Sequence, residues 1–414
     1  MINSIKRYKG KIYNIFFLGS IQLTNMIIPF VIYTHIIKII GVSYFGLLMF
    51  AQSLMSIFQI ILDFGFNVVA TREISIYRDN FLKRNEIITS VILLKVLLVI
   101  FSFLIFCILY LIYIKINHNF FVFLFTLISV IINNFIPIWF FQGVEKIAKI
   151  SFLNFISKLI YLILVFHLIN NKSDYILIPI LNSLSLLLVL FLSWFFIKKE
   201  FNFYFIFNKS IFYYIFKSSI YIFISNIFVS LYNTSNSLIL GIFTNDFYVG
   251  IYASMEKIIL AIKSLYVPIF NGLFPWLSRV NEVQMNYIIK KLFVIMLLLG
   301  LFISLFFMIF SYDILHIIYH NKDITQYNYL FKIFSLIFLF APLNMLYNML
   351  FLNATKRYKL RMFIMGIVGF IHILIASFLV KIYLIQGIIY ASVFTEFLLL
   401  IFGIIIFIKR SYFK

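Results

Sequence analysis

The stretch Ile61–Ser75 reads ILDFGFNVVATREIS and closes an apolar run that begins near Tyr44. Asp63 stands inside that run, Phe64 and Phe66 flank Gly65, and the adjacent charges Arg72 and Glu73 end it. Whether a greasy segment can keep a carboxylate depends on its solvent, and composition identifies that solvent. Of 414 residues, 64% are hydrophobic and 11% charged, with mean hydropathy +1.09. A soluble domain is about 45–50% apolar and about 25% charged. No water-soluble core could hide so much apolar surface, so the bilayer is the solvent. The fold class is an all-α polytopic membrane protein.

A span needs about 20 mostly apolar residues. Breaks at Gly, Pro, Asn and charge clusters predict twelve, near 12–38, 44–70, 87–114, 120–142, 147–169, 175–197, 212–240, 247–275, 287–312, 327–353, 361–384 and 387–408. Of the 34 lysines and arginines, six fall inside spans and five (Lys38, Lys115, Lys172, Lys322, Lys381) in one set of connections. The remaining 23 lie on the other side, so both termini are expected to be cytoplasmic. The clustering of the +21 net charge between apolar runs argues against nucleic acid. The single cysteine, Cys107, lies in an apolar run, which leaves no disulfide framework. The first apolar run reads as a retained span, without a cleavable signal peptide.

Spans one and seven end alike, at Gly41 and Gly241, followed by SYFG (43–46) and FYVG (247–250). An offset near 200 residues predicts a parallel repeat of two six-helix bundles, 1–197 and 212–414, around a central cavity. KKEFNFYFIFNKSI (198–211) would be the cytoplasmic linker, its aromatics lying along the membrane interface.

Gln52, Ser56, Gln59 and Asp63 follow i, i+4, i+7, i+11 spacing, as do Asn226, Ser230, Asn233 and Ser237. Gln22 and Asn25 in the first span, and Asn154, Lys158 and Tyr161 in the fifth, add to these stripes. Such stripes avoid lipid, either by interhelical hydrogen bonding or by lining a hydrated cavity. The ionisable residues within spans are Asp63, Lys95, Lys158, Lys217, Glu256, Lys257, Lys263, Lys332 and Glu396. A charge at mid-bilayer costs about 3 kcal/mol on the insertion scale, so each needs a partner or water. Paired charges would balance, whereas six cations against three anions leave a cavity that invites an anion. Lys217 and Lys95 can instead snorkel, and Lys95 can pair. Lys158, Lys257, Lys263 and Lys332 are the cavity candidates, weighed against structural pairing. Glu256 and Lys263, two turns apart, bracket a common space.

The motifs of chemistry are missing: there is no GxxxxGK[ST], GxSxG, HExxH or GxGxxG. Asp313, His316 and His320 have helical metal-ligand spacing but read as interfacial histidines, so no metal is expected. Movement, not bond making, is the expected work, and the chain is not expected to be an enzyme.

Three segments carry a family resemblance. VSYFGLLMFAQSLMSIFQIILDFGFNVVATREIS (42–75), PIWFFQGVEKI (137–147) and NSLILGIFTNDFYVGIYASMEKIILAIKSLYVPI (236–269) resemble the bacterial polysaccharide transporters. These are the O-antigen and related lipid-linked oligosaccharide flippases of the multidrug/oligosaccharidyl-lipid/polysaccharide exporter superfamily. The resemblance implies alternating access in the bacterial inner membrane, without a cofactor, driven by a proton or sodium gradient. It implies an undecaprenyl-pyrophosphate-linked repeat unit as cargo, with the polymerase and chain-length regulator of the same pathway as partners. Lys158, Lys257, Lys263 and Lys332 would then hold pyrophosphate or acidic sugar, and Gln52, Gln59, Asn226 and Asn233 would line the cavity. Asp63, Glu256 and Glu396 would couple the ion, with Asp63 alternatively pairing with a cation or capping the Phe64–Gly65–Phe66 bend. Arg72 and Glu73 would form a gate contact or, alternatively, a solvated pair. Two rivals stand beside the flippase. An O-antigen polymerase would carry a large outer loop with arginines, whereas every outer connection here is short and lacks arginine. A small-molecule exporter of the same superfamily is the other.

Overall fold

A computed structural model describes the backbone of residues 2–277, 280–355 and 357–412. Side chains are described there except at 2–26, 225, 228, 229, 231–233, 268, 271, 275, 276, 282, 358 and 410–412. Among the described residues the chain is helical throughout its regular structure, without strands, so the all-α polytopic architecture expected from composition is the one found. The longer helices are α1 (Ile2–Asp63), α2 (Phe66–Ile76), α3 (Phe81–Ile112), α4 (Phe120–Phe135), α5 (Ile147–Leu168), α6 (Leu177–Phe201) and α7 (Lys209–Asn233). They continue as α8 (Ser235–Phe243), α9 (Asp246–Ser264), α10 (Tyr266–Leu277), α11 (Glu282–Ile309), α12 (Ser311–Tyr319), α13 (Asn328–Phe334), α14 (Ile337–Met345), α15 (Tyr358–Tyr383) and α16 (Ile385–Tyr412).

Nine helical segments among the described residues are long and apolar enough to cross a membrane. The first, Ile27–Ile76, has 50 residues, enough length for two crossings. The loop expected between spans one and two is absent. A single non-helical residue, Gly41 (φ 82°, ψ 172°), breaks α1 there. No atom would obstruct a Cβ at Gly41, so its left-handed φ is what requires glycine. Between Lys209 and Leu277, where two further spans are expected, the helices are interrupted at Thr234, Thr244–Asn245 and Leu265.

By contacts the chain divides into two compact units, 1–39 with 54–227 and 40–53 with 228–414. In the first, Trp139, Phe140 and Phe141 are buried among Ile87, Val91, Leu94 and Ile150. Polar bonds join its helices: Ser129 to Ser183 (2.6 Å, α4 to α6), Ser157 to the Ser185 carbonyl (2.8 Å, α5 to α6) and Trp194 Nε1 to the Phe135 carbonyl (3.1 Å). Each such bond in lipid is worth about 0.6 kcal/mol, so part of the polar content is structural glue. After α6 the segment 202–208 is non-helical and strapped to α3. The Ile206 N–H donates to Thr89 Oγ1 (3.0 Å), the Tyr204 N–H to Asn85 Oδ1 (3.4 Å) and Asn208 Nδ2 to Glu86 Oε1 (2.9 Å).

In the second unit the matched loops of the sequence meet. A Cβ on Gly46 would lie 1.7 Å from the Asp246 carbonyl oxygen, and one on Gly250 would lie 2.1 Å from that of Val42. The crossing therefore needs glycine on both sides. The Asn245 side chain caps α9 by accepting from the Tyr248 N–H (3.1 Å), and Asp246 in the first turn suits the helix dipole. Pro342 lies within α14, and after Met345 the helix widens into a π-turn, Leu346–Phe351. Tyr347, Leu350 and Phe351 of that turn belong to the unit's core, with Leu343, Val368 and Leu399.

Candidate functional site

The second unit holds a polar cavity inside apolar helices. Its lining includes Tyr252, Glu256 and Lys263 from α9, Asn236 from α8, and Ser392 and Glu396 from α16. The volume is about 50 Å³. That is room for water or a small cation and too little for a sugar. Lys263 Nζ meets Glu396 Oε1 at 2.5 Å, with side-chain exposures of 22% and 2%. Asn344 Nδ2 donates to the other carboxylate oxygen (2.7 Å), and Asn348 Nδ2 donates to Asn344 Oδ1 (2.7 Å) and to the Leu399 carbonyl (3.2 Å). Asn348 Oδ1 is buried without a hydrogen-bond partner. The Tyr252 hydroxyl donates to Glu256 Oε1 at 2.9 Å.

α9 brings these groups together because Tyr252, Glu256, Ile259 and Lys263 repeat at four, three and four residues and share one face. Glu256 and Lys263 thus line one space, as their spacing predicts. Lys263 spends its charge on Glu396, which reduces the cationic surplus read from the sequence. Lys257 is half-buried one residue off this face and Lys332 is exposed on α13, and neither lines the cavity.

In the first unit Asp63 ends α1, half-buried, against a break. Phe64 takes φ 45° and Gly65 φ 81°. The backbone N–H groups of Gly65 and Asn67 and the Asn67 side chain point at its carboxylate, while Oδ1 is buried without a hydrogen-bond partner. The left-handed Phe64 is held by stacking on Phe216 (5.3 Å) and Phe223 (4.5 Å). Lys95, 2% exposed on α3, donates to the Asn134 carbonyl and is the cation whose field Asp63 feels. Both structural alternatives for Asp63, bend cap and cation neighbour, thus have counterparts in the geometry. Lys158 is half-buried on α5, and Gln52 and Gln59 are exposed while Ser56 is half-buried. Asn226 is half-buried, and the side chain of Asn233 lies outside the described residues.

Arg72 NH1 meets Glu73 Oε1 at 2.7 Å, the arginine side chain 67% exposed and the glutamate 9%. The Tyr214 hydroxyl donates to the same oxygen at 3.1 Å. Glu73, Tyr77, Lys83 and Tyr214 line one pocket, which shelters the glutamate while the arginine stays open to solvent.

Sequence reasoning passed over His372, Asn344 and Asn348. The asparagines carry a signal, two amides at i, i+4 in an apolar run. His372 stands alone in its apolar run, without a polar neighbour at helical spacing to mark it.

The comparisons with known proteins agree with this architecture. Residues 12–281 match the family model described as "Polysaccharide biosynthesis protein". A "Putative O-antigen transporter" of Shigella dysenteriae is 24% identical over 392 residues, 94% of this chain and 98% of that protein. One of the same name from Escherichia coli (strain K12) is 26% identical over 299 residues, 69% of this chain and 70% of that one. Among solved structures, the lipid II flippase MurJ in an inward closed conformation superposes with TM-score 0.69 at 14% identity, over 94% of this chain and 87% of that one. A multidrug resistance MATE family transporter of the MOP superfamily gives 0.69 at 12%, over 95% and 96%. The fold is that of a multi-pass helical membrane protein, and these solved transporters share it. The chain belongs to the polysaccharide biosynthesis protein family, and the relatives above are named as transporters, not as enzymes.

Proposed function

We propose that this chain flips an undecaprenyl-pyrophosphate-linked oligosaccharide repeat unit, such as an O-antigen unit, from the cytoplasmic to the periplasmic leaflet of the inner membrane. The observation that carries the reading is the alignment with the Shigella dysenteriae protein, which runs along 94% of this chain and 98% of that one. The chain acts as twelve spans in two six-helix bundles with cytoplasmic termini, by alternating access coupled to an ion gradient. The bilayer and the lipid-linked cargo are its partners, with the pathway's polymerase and chain-length regulator downstream.

The chemistry supports a division of labour. A cavity of about 50 Å³ cannot take a sugar, so Glu256 and Glu396 serve coupling, with Lys263 as the internal cation that Glu396 holds when no other is bound. Asp63 serves the same role in its unit, and Arg72 with Glu73 forms the cytoplasmic gate contact. Lys158, Lys257 and Lys332 would meet the anionic cargo, and Gln52, Gln59, Asn226 and Asn233 the sugar hydroxyls.

The test is deletion of the gene in its host, followed by locating the lipid-linked repeat unit by leaflet. Accumulation facing the cytoplasm, reversed by the wild-type gene, is the expected result. Single repeats that reach the periplasm without polymerising would assign the polymerase function instead. An unchanged surface glycan and an unchanged lipid pool would make the chain an exporter of something else.

A further inference from the structure

A larger cavity lies in the first unit, where the end of α2 meets the starts of α3 and α7. Each of the three supplies a pair one helical turn apart: Glu73 with Tyr77, Lys83 with Ile87, and Ile211 with Ile215, beside which Tyr214 joins the lining. The volume is about 260 Å³. Pockets for drug-sized ligands start at about 300 Å³, so this one suits a single ring or a headgroup.

Local contacts build the walls. The Tyr77 N–H donates to the Glu73 carbonyl (3.0 Å) and closes α2. Asn80 then caps α3 by accepting from the Lys83 N–H (3.0 Å), so one short turn positions both Tyr77 and Lys83. On the other wall Asn208 Nδ2 donates to Glu86 Oε1 (2.9 Å), while its Oδ1 accepts from the Ser210 and Ile211 N–H groups (3.0 and 3.4 Å) where α7 begins. The end of the strap thus fixes the start of α7 to α3.

The lining is chemically mixed and close to neutral. Arg72 pairs with Glu73 (2.7 Å) and Lys83 with Glu86 (3.5 Å), so two cations offset two anions. Arg72 does not line the cavity. Its bond and that of the Tyr214 hydroxyl both fall on Glu73 Oε1, which leaves Oε2 as the acceptor offered to a ligand. The Lys83 ammonium has three donors, of which the distant Glu86 engages one at most. Ile87, Ile211 and Ile215 give an apolar wall, and the partly exposed rings of Tyr77 and Tyr214 an aromatic one. A lone anion would meet the Glu73 carboxylate, and a lone cation the Lys83 ammonium. What fits is a small uncharged ligand whose hydroxyls both give and accept, and whose C–H face can lie on a tyrosine: a pyranose ring.

Resting on the flippase reading, we propose that this cavity is an entry subsite that binds one uncharged sugar ring of the lipid-linked glycan. Glu73 Oε2 accepts from its hydroxyls, Lys83 donates to them, and Tyr77 and Tyr214 cover its C–H face. The cavity stands at the end of the unit that carries Arg72, Arg78 and Lys83, the expected cytoplasmic side, where the cargo arrives.

The test holds the full-length protein in lipid nanodiscs, free of sugar-based detergent, and reads saturation-transfer NMR. The probe is the oligosaccharide that mild acid releases from the host's own surface glycan. Tyr77→Ala removes an exposed ring and leaves the Arg72–Glu73 pair in place, so it reads the cavity and not the gate. Ile211→Trp fills the cavity and removes no polar side chain. The expected result is transfer from the wild type to the glycan, with binding at least about tenfold weaker in both variants. No transfer from the wild type, or wild-type binding by either variant, would overturn the proposal. So would transfer to glycerophosphoethanolamine that Tyr77→Ala abolishes, which would give the cavity to a lipid headgroup. Should Ile211→Trp fail to accumulate, Tyr77→Ala decides alone. A wild-type gene that does not restore the leaflet distribution in the deletion host would refute the flippase reading, while glycan binding would still report on the cavity.

Discussion

Lys263 and Glu396, 133 residues apart in sequence, form an ion pair 2.5 Å long in which the carboxylate side chain is 2% exposed. Such a pair serves as structure or as a switch, and paired substitutions separate the two. Removing one member of a buried pair costs about 3–5 kcal/mol, whereas replacing both with apolar residues is close to neutral. Glu396→Gln is expected to lower the unfolding temperature in detergent, and Lys263→Met with Glu396→Leu to restore it. Surface glycan is expected to stay absent in the double variant. A double variant that exports normally would reduce the pair to scaffold.

Asp63→Asn tests the bend. An asparagine keeps an oxygen for the Gly65 and Asn67 N–H groups and removes only the charge that Lys95 faces. Stability is expected to change by less than about 1.5 kcal/mol, the net worth of one hydrogen bond. Export is expected to fall at least about tenfold, the effect of 1.4 kcal/mol on a rate. Glycan display by the variant at the wild-type level would leave Asp63 as a cap alone.

The glycine crossing makes a packing prediction with an internal control. A Cβ at Gly46 meets a carbonyl at 1.7 Å and one at Gly250 meets another at 2.1 Å, while nothing lies within 4 Å of one at Gly272. Gly46→Ala and Gly250→Ala should force the backbones apart and lower the unfolding temperature. Gly272→Ala should be neutral, or stabilise by up to about 1 kcal/mol through helix propensity. Equal melting of all three variants would remove the steric explanation.

At the half-sheltered pair, Tyr214→Phe removes the hydroxyl that donates to Glu73 and leaves Arg72 in place. A loss of about 0.5–1.5 kcal/mol is expected. Glu73→Ala leaves the arginine, 67% exposed, to water and is expected to cost no more in stability. A larger effect of Glu73→Ala on export than on melting would mark the pair as a gate.

What could be read in advance follows from the solvent. Lipid forces each crossing to be helical and apolar, so the spans and the charge asymmetry stand out in the sequence. The matched loops mark Gly46 and Gly250 as signs of a repeat, but that each glycine meets the backbone of the other's helix is visible only in the fold. Gly65 was legible as a bend, but the left-handed Phe64 was not, since rings from α7 hold it. Lys263 and Glu396 were both recognisable as costly charges. Their union was invisible because helical periodicity carries no information across 133 residues. The π-turn at Leu346–Phe351 has no local signature beyond the nearby Pro342, whereas the Asn344–Asn348 ladder beside it has one, two amides at i, i+4 in an apolar run.

The strap at 202–208 bears on how the protein is made. Asn85 and Thr89 are fully buried, and the donors they meet belong to backbone synthesised 119 and 117 residues later. In chain order α4, α5 and α6 all come between these acceptors and the backbone that satisfies them. The polar end of α3 is therefore satisfied by a length of unwound chain, and α7, whose Tyr214, Phe216 and Phe223 meet Glu73 and Phe64, completes the first unit after it.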